Sequence, residues 1–345
     1  MSKKTDLDPS ELYSRQIVMK EIGESGQNRL MSSRVAVVGI GGLGSTSSMY
    51  LALAGVGFLR LIDQDTVEIH NLHRQSLFSV DDLRKPKAEV AADRIHSIAP
   101  RVVVEPVAEN LRNSNADELL QDVDVIVDGL DNMMTRYVVN SASVRMKKPY
   151  VYGAAIAMEG NVSLFQPPHT PCLRCITPGV EDPMLSTCET RGILGPVAGA
   201  IGAIQAVETI KLLAGIKGVL KGRLLTCDFK NVDFYTIRIA KRPDCEACGS
   251  GTWRKGEPEK LTWLCGSNTA NVNPSRPMSI DLTRAANTLS TKFNVLVRSP
   301  MVLVLQLEDG IEVSVFQQGR MLVKNVESEE EALKVYERLV ALVSR

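Results

Sequence analysis

Two cysteine pairs of identical spacing, Cys172-x-x-Cys175 and Cys245-x-x-Cys248, bracket a fifth cysteine, Cys188. Each pair can turn two sulfurs toward one point, and four thiolates about 2.3 Å from a tetrahedral zinc ion leave no open position for catalysis. The pairs read as one structural zinc site tying the loop after Phe165 to the end of a sheet domain. A redox CxxC works singly, so two matching pairs favour a shared metal. Cys188 lies apart, in the polar, turn-prone stretch Leu185-Ser-Thr-Cys-Glu-Thr-Arg-Gly192. A thiol on a loop can reach an electrophile, and Cys188 reads as a nucleophile whose thiolate Arg191 would favour and Glu189 oppose. Cys227, on an apolar strand, and Cys265 read as inert thiols.

A second constellation opens the chain. The run Val35-Ala-Val-Val-Gly-Ile-Gly-Gly-Leu-Gly44 is a strand followed by a glycine turn. Gly39, Gly41 and Gly44 match the fingerprint in which backbone amides approach a pyrophosphate at a helix amino terminus. By itself that turn would suit a nicotinamide-dependent oxidoreductase equally well. Asp63-Gln-Asp65, Asn71-Leu-His-Arg74-Gln75 and Pro86-Lys87 shift the balance. Acid at a strand tip can hold ribose hydroxyls, while a guanidinium and an ammonium neutralise a triphosphate. A dinucleotide enzyme needs no such cluster. The four histidines, His70, His73, His96 and His169, show no metal-ligand spacing.

The elements that must carry these residues alternate. An amphipathic helical arm is expected over 8–31, then a strand at 34–38, a helix at 45–54, a strand at 58–62, a helix at 86–99 and a strand at 102–106. A helix at 114–121, a strand at 123–127, a strand-rich stretch at 150–165 and a helix at 196–213 follow, with strands at 223–228 and 234–239. This pattern predicts an α/β fold, a doubly wound and mostly parallel sheet with ligands at the strand carboxyl ends. Residues 8–250 form the expected ATP-binding domain, 251–275 a linker, and 276–345 a small α+β carboxy-terminal domain, read as a protein-docking module. The chain's 345 residues, 40 basic and 40 acidic, carry no net charge, which argues against nucleic acid as a partner. No uninterrupted apolar run reaches the ~18 residues of a membrane span, so no membrane partner is expected either. The default compartment is the cytoplasm, where paired CxxC motifs act as thiolate ligands.

Taken in order, Gly39-Ile-Gly-Gly-Leu-Gly44, Asp63-Gln-Asp65, Asn71-Leu-His-Arg74-Gln75, Lys87, Asp128-Gly-Leu-Asp131-Asn132 and both CxxC pairs closely resemble one superfamily. It activates ubiquitin and ubiquitin-like proteins, and includes the bacterial enzymes that adenylate the sulfur carriers for molybdopterin and thiamine synthesis. The resemblance covers about residues 10–250. It implies that Gly42 and Asp63 contact the adenosine of ATP, that Asn71, Arg74, Gln75 and Lys87 surround the phosphates, and that Asp131 supports Mg2+, with Asp65 and Asn132 in the same set. It implies further that Arg15, in Tyr13-Ser-Arg-Gln-Ile17, reaches into the ATP site of the partner in a homodimer, and that Cys188 accepts the activated carboxyl group as a thioester or takes part in persulfide transfer.

The chemistry calls for such charges on its own terms. A carboxylate attacking the α-phosphate of ATP meets like charge, and the departing pyrophosphate adds more. Arg74, Lys87 and magnesium offset both. The expected activity is adenylation of the C-terminal glycine of a ubiquitin-like modifier or sulfur carrier ending in Gly-Gly, with transfer to Cys188 as a thioester. The fused tail favours that ubiquitin-activating version and a downstream conjugating enzyme. The alternative is a sulfur-carrier adenylyltransferase serving molybdopterin, thiamine or tRNA thiolation. An NAD-dependent oxidoreductase is the alternative of a different class.

Overall fold

A computed structural model describes residues 7–182, 188–250, 260–264, 268–274, 276 and 278–343. The chain divides into two compact units, Met1–Asp82 with Lys87–Gly256, and Leu83–Pro86 with Glu257–Arg345.

The larger unit is built on eight strands: β1 (Arg34–Val38), β2 (Phe58–Ile62), β3 (Val103–Val107), β4 (Val125–Asp128), β5 (Tyr150–Ile156), β6 (Glu159–Phe165), β7 (Arg223–Asp228) and β8 (Asp233–Arg238). Their order across the sheet is β3-β2-β1-β4-β5-β6-β7-β8. The first five in that order run parallel and the rest pair antiparallel. β1, β2 and β4 are short, nearly continuous apolar runs because helices cover both faces of a parallel sheet. β8, at the edge, is exposed along its whole length.

Five longer helices accompany this sheet: α1 (Gly23–Ser32), α2 (Gly42–Leu53), α3 (Lys87–Ile98), α4 (Met133–Met146) and α5 (Gly195–Ala214). The arm expected as one helix over 8–31 is broken into Pro9–Leu12, Ser14–Ile17 and α1. α2 starts at Gly42, earlier than its sequence pattern indicates, so the glycine run forms the first turn of the helix. α5 is 20 residues long and apolar enough by length and composition to cross a membrane. Here it is a core helix. Gln205, Glu208 and Thr209 are buried on it with protein partners, including Gln205 Nε2 donating to Asp128 O at 2.7 Å. Its small residues let it pack closely on α2: a Cβ on Gly202 would lie 2.5 Å from Leu43 O, and one on Gly42 2.9 Å from the Ala198 Cβ.

The smaller unit contains a six-stranded antiparallel sheet, ordered β11-β12-β13-β14-β10-β9. Its strands are β9 (Leu261–Leu264), β10 (Thr269–Val272), β11 (Asn294–Arg298), β12 (Val302–Gln306), β13 (Glu312–Phe316) and β14 (Met321–Lys324). Helices α6 (Leu282–Leu289) and α7 (Glu329–Val343) pack Leu282, Leu289, Val335 and Leu339 onto Leu303, Leu305, Val313 and Val323. β9 and β10 fall inside the stretch read as a linker, which is a correction: their alternation is too short to stand out, and they become strands because β10 pairs with β14 and β9 with β10. Residues 251–259 of that stretch lie outside the described residues. α6 was also not expected, although Asp281 caps it by accepting from the amides of Thr283 and Arg284, and Leu282, Ala285, Ala286 and Leu289 follow a helical period.

Candidate nucleotide site and cysteine cluster

The glycine turn closes at the carboxyl end of β1. Gly39 has φ +86°, a left-handed conformation that disfavours side chains, and a Cβ there would stand 2.7 Å from Gly129 O. Gly44 is needed for space instead, since its Cβ would fall 1.9 Å from Gly39 O. Gly41 differs from both: an added Cβ would meet nothing closer than Gly129 O at 3.7 Å and Gln75 Nε2 at 3.8 Å. The fold therefore leaves room above Gly41, as close approach of a phosphate to backbone amides requires.

Beneath this turn sit two carboxylates and one ammonium. Asp63 is buried at the tip of β2; its Oδ2 accepts from Ile40 N at 2.6 Å and its Oδ1 from Asp65 N at 2.7 Å. Burial pushes its carboxyl up to about 6 against the pull of Lys87. Lys87, first residue of α3 and also buried, donates from Nζ to Asp65 Oδ2 at 3.1 Å. Burial works against its charge, but Asp65, Asp63 and Asp131 outweigh that and hold the ammonium above the ordinary lysine value. Lys87 is thus a fixed positive charge. The other oxygen of Asp65 and the Oε1 of buried Gln75 have no hydrogen-bond partner among the described residues.

Asn71 and Arg74 come from the short segment after β2. Asn71 is buried and its Oδ1 accepts from Glu68 N at 3.2 Å, closing a capping box that fixes the segment. Arg74 donates from Nη1 to His70 O at 2.7 Å and meets His73 Nε2 at 3.0 Å. No carboxylate pairs with it among the described residues. Gly195, at the start of α5, backs onto this segment, with an added Cβ 2.6 Å from His73 O. The structure therefore brings Gly39, Gly41, Gly42, Gly44, Asp63, Asp65, Gln75 and Lys87 to one end of the parallel strands. Arg15 is exposed on Ser14–Ile17 and takes no part in the hydrogen bonds or ion pairs of this cluster.

Asp131 is exposed after β4, within reach of Asn132, whose Nδ2 donates to Asp131 Oδ1 at 3.2 Å. The sequence motif blends two different aspartates here. Asp128 is wholly buried: its Oδ2 takes Arg136 Nε at 3.2 Å and the Tyr150 hydroxyl, while its Oδ1 accepts from Leu130 N at 2.9 Å. Its charge is compensated on the spot, although burial still raises its carboxyl above the usual value. Arg136 and Tyr150 were not singled out from sequence; an Arg one helical turn into an apolar helix was the available signal.

The four cysteines of the CxxC pairs converge. Their Sγ atoms all lie within 4.8 Å of one another, with Cys172 and Cys245 at 3.7 Å and Cys175 and Cys248 at 3.4 Å. A tetrahedral zinc with sulfurs at about 2.3 Å has S–S edges of about 3.8 Å, so this donor set fits the ion. Asn140 Nδ2 donates to Cys172 Sγ at 3.7 Å and Arg242 N to Cys175 Sγ at 3.5 Å, the outer hydrogen bonds that orient thiolate ligands. Burial pushes the Cys172 thiol up to about 11, which a bound cation would reverse. Cys227 is buried and free, as expected of an inert thiol. Cys188 begins the short helix Cys188–Arg191, and its side chain lies outside what is described, as does Cys265. Arg191, read as a neighbour for that thiolate, pairs with Glu159 at 3.4 Å.

A family model described as the ThiF family matches residues 13–247. The chain belongs to the ThiF family. The match takes in the glycine turn, the acidic strand tips, Lys87 and three of the four clustered cysteines, Cys248 lying one residue beyond its end. The SAMP-activating enzyme E1 of Haloferax volcanii is 44% identical over 248 residues, 71% of this chain and 92% of that protein. The sulfur carrier protein adenylyltransferase of Thermus thermophilus is 39% identical over 243 residues, 69% of this chain and 90% of that protein. The adenylyltransferase and sulfurtransferase MOCS3 of Culex quinquefasciatus is 42% identical over 248 residues, 71% of this chain but 57% of its own length. The chain thus spans little more than half of that longer ThiF relative. Among solved structures, Escherichia coli MccB with succinimide superimposes with a TM-score of 0.62 over 72% of this chain and 75% of that one, at 23% identity, a likeness of fold.

Proposed function

We propose that this ThiF-family chain is an adenylyltransferase that uses ATP to activate the C-terminal carboxylate of a small ubiquitin-fold sulfur-carrier protein. The observation that carries this reading is Lys87, a buried ammonium held charged by Asp63, Asp65 and Asp131 at the foot of a glycine turn that leaves space above Gly41. Arg74 adds a guanidinium that no carboxylate neutralises among the described residues. In the reaction a carboxylate oxygen of the carrier attacks the α-phosphorus of ATP. A P–O bond forms, the bond to the bridging oxygen breaks, and pyrophosphate leaves with the electron pair. Lys87 and Arg74 offset the charge that accumulates on the phosphates. Asp131, exposed at the strand tip, would hold a magnesium ion that supplies further neutralisation.

The names of the relatives support a sulfur carrier over a conjugated modifier, so the acyl adenylate is passed to sulfur chemistry, with Cys188 as the candidate acceptor or persulfide carrier. Under the same reading Arg15 completes the site of a second copy in a cytoplasmic homodimer, and the smaller unit docks the carrier or an acceptor protein. ATP–pyrophosphate exchange tests the central claim. Exchange that requires a carrier ending in Gly-Gly, and stops when the final glycine is removed, is expected. Exchange without a carrier, or binding of NADH in place of ATP, would overturn it.

A further inference from the structure

We infer that Asp182 is a positioning residue of the nucleotide site, an inference that rests on the adenylation reading above. Its carboxylate spans the amino terminus of α4: Oδ1 accepts from Met133 N at 2.5 Å and Oδ2 from Met134 N at 3.0 Å. These amides lie 48 and 49 positions before it in sequence, so no local pattern announces the contact.

The first four N–H groups of a helix have no partner within the helix. In α4 the first three are met by side chains, and the fourth opens the regular ladder. Met133 and Met134 donate to Asp182, Thr135 donates to Asn132 Oδ1 at 2.9 Å, and Arg136 N reaches Asn132 O at 3.4 Å. The residue that caps Thr135 also holds Asp131, through Asn132 Nδ2 at 3.2 Å. From the core side the same turn is tied by Asp128, which accepts from Leu130 N, and by Arg136 Nη2, which donates to Leu130 O at 2.6 Å. Asp131 itself is exposed, so the backbone turn decides where its carboxylate points, and Asp182 is the external clamp on that turn. A carboxylate is also the group that a helix amino terminus stabilises.

The segment that leads to Asp182 has a second, independent attachment to α4. The Tyr137 hydroxyl lies 2.8 Å from the carbonyls of both Thr177 and Val180 and shares its one proton between them, and Arg174 stacks on the Tyr137 ring at 3.7 Å. Tyr137→Phe therefore loosens the segment without uncapping the helix, whereas Asp182→Ala does both.

Three variants of the full chain test the assignment, each measured for ATP–pyrophosphate exchange with a Gly-Gly carrier and for amide hydrogen exchange at Met133 and Met134. Asp182→Ala is expected to speed exchange at both amides and to raise KM for ATP about fivefold, the factor that corresponds to loss of a helix cap, with KM for the carrier within about twofold. Asp182→Asn, which keeps one accepting oxygen, should recover most of the affinity. Tyr137→Phe should leave KM for ATP within about twofold of the parent. An unchanged KM for ATP in Asp182→Ala, or an equal rise in Tyr137→Phe, overturns the positioning role while the adenylation reading stands. A parent protein without carrier-dependent exchange overturns that reading, and with it the role assigned to Asp182.

Discussion

Two aspartates of the same sheet face opposite fates. Asp63, at the carboxyl tip of β2, is buried, and burial pushes its carboxyl up to about 6 against the pull of Lys87. Asp122, just before β4 at the starting end of the strands, is half exposed and grips two guanidiniums, Arg34 at 2.7 Å and Arg60 at 2.5 Å; the Arg60 bond first, then burial working against it and the Arg34 bond, bring it down to about 2. Arg60 also reaches Glu105 at 2.8 Å, and Arg34 lies over the Phe58 ring at 3.6 Å. Charge at the starting end is closed on itself. At the carboxyl end it is left open, with Arg74 unpaired by acid among the described residues and one oxygen of Asp65 unpartnered. Charge that a fold keeps uncompensated marks where a charged ligand completes the structure.

The sharpest way to break this contrast is to remove compensation where it is deepest. Arg136→Met would leave Asp128 buried without its cation, and urea denaturation should show a loss of about 3–5 kcal/mol. Lys87→Ala should lower carrier-dependent pyrophosphate exchange about a hundredfold or more, because the triphosphate loses a fixed charge. A Lys87→Ala protein with near-parental exchange would mean that the ammonium serves the fold alone.

Titration sharpens the comparison further. Asp63 has a folded pKa of about 6, above its unfolded value, so the native state holds an extra proton between roughly pH 4 and 6. The stability this brings is present below that window and is lost as pH rises through about 6. Unfolding free energies from urea titrations should therefore fall less between pH 5 and 7 in Asp63→Asn than in the parent, by about 1 kcal/mol. Asp122 runs the other way. Its folded pKa of about 2 lies below the unfolded value, so its contribution is present above roughly pH 4 and is lost as pH falls toward 2. Because Asp122 is itself exposed and buried Arg60 keeps Glu105 as a partner, Asp122→Asn should cost about 1 kcal/mol at pH 7, the smallest effect of the set, and should blunt only the acid limb.

Much of the site was legible because its residues are local. The glycine turn, Asp63-Gln-Asp65 and the Asn71 to Gln75 segment are short motifs whose spacing is set by one strand end or one turn. The alternation of apolar strands and helices was read to within a few residues for β1 to β4 for the same reason. What was misread involves partners distant in sequence. β9 and β10 are strands only because β10 pairs with β14 and β9 with β10, and the helical arm at the start breaks where Tyr13 turns inward to lie buried beside Gly55. That Gly199 and Gly202 seat α5 on Thr46 and Leu43 of α2 likewise required the fold.

From sequence alone came the residue types that can neutralise phosphate, the four thiols and the order of the elements, since each is a matter of composition or near spacing. Tertiary structure decided which aspartate is compensated. Asp63, Asp65, Asp122, Asp128, Asp131 and Asp182 are chemically the same, and only packing determines whether a carboxylate meets a guanidinium, a helix terminus, buried backbone amides or solvent. The energy of a charge depends on what surrounds it in space, and neighbours in space are set by chain segments far apart in order.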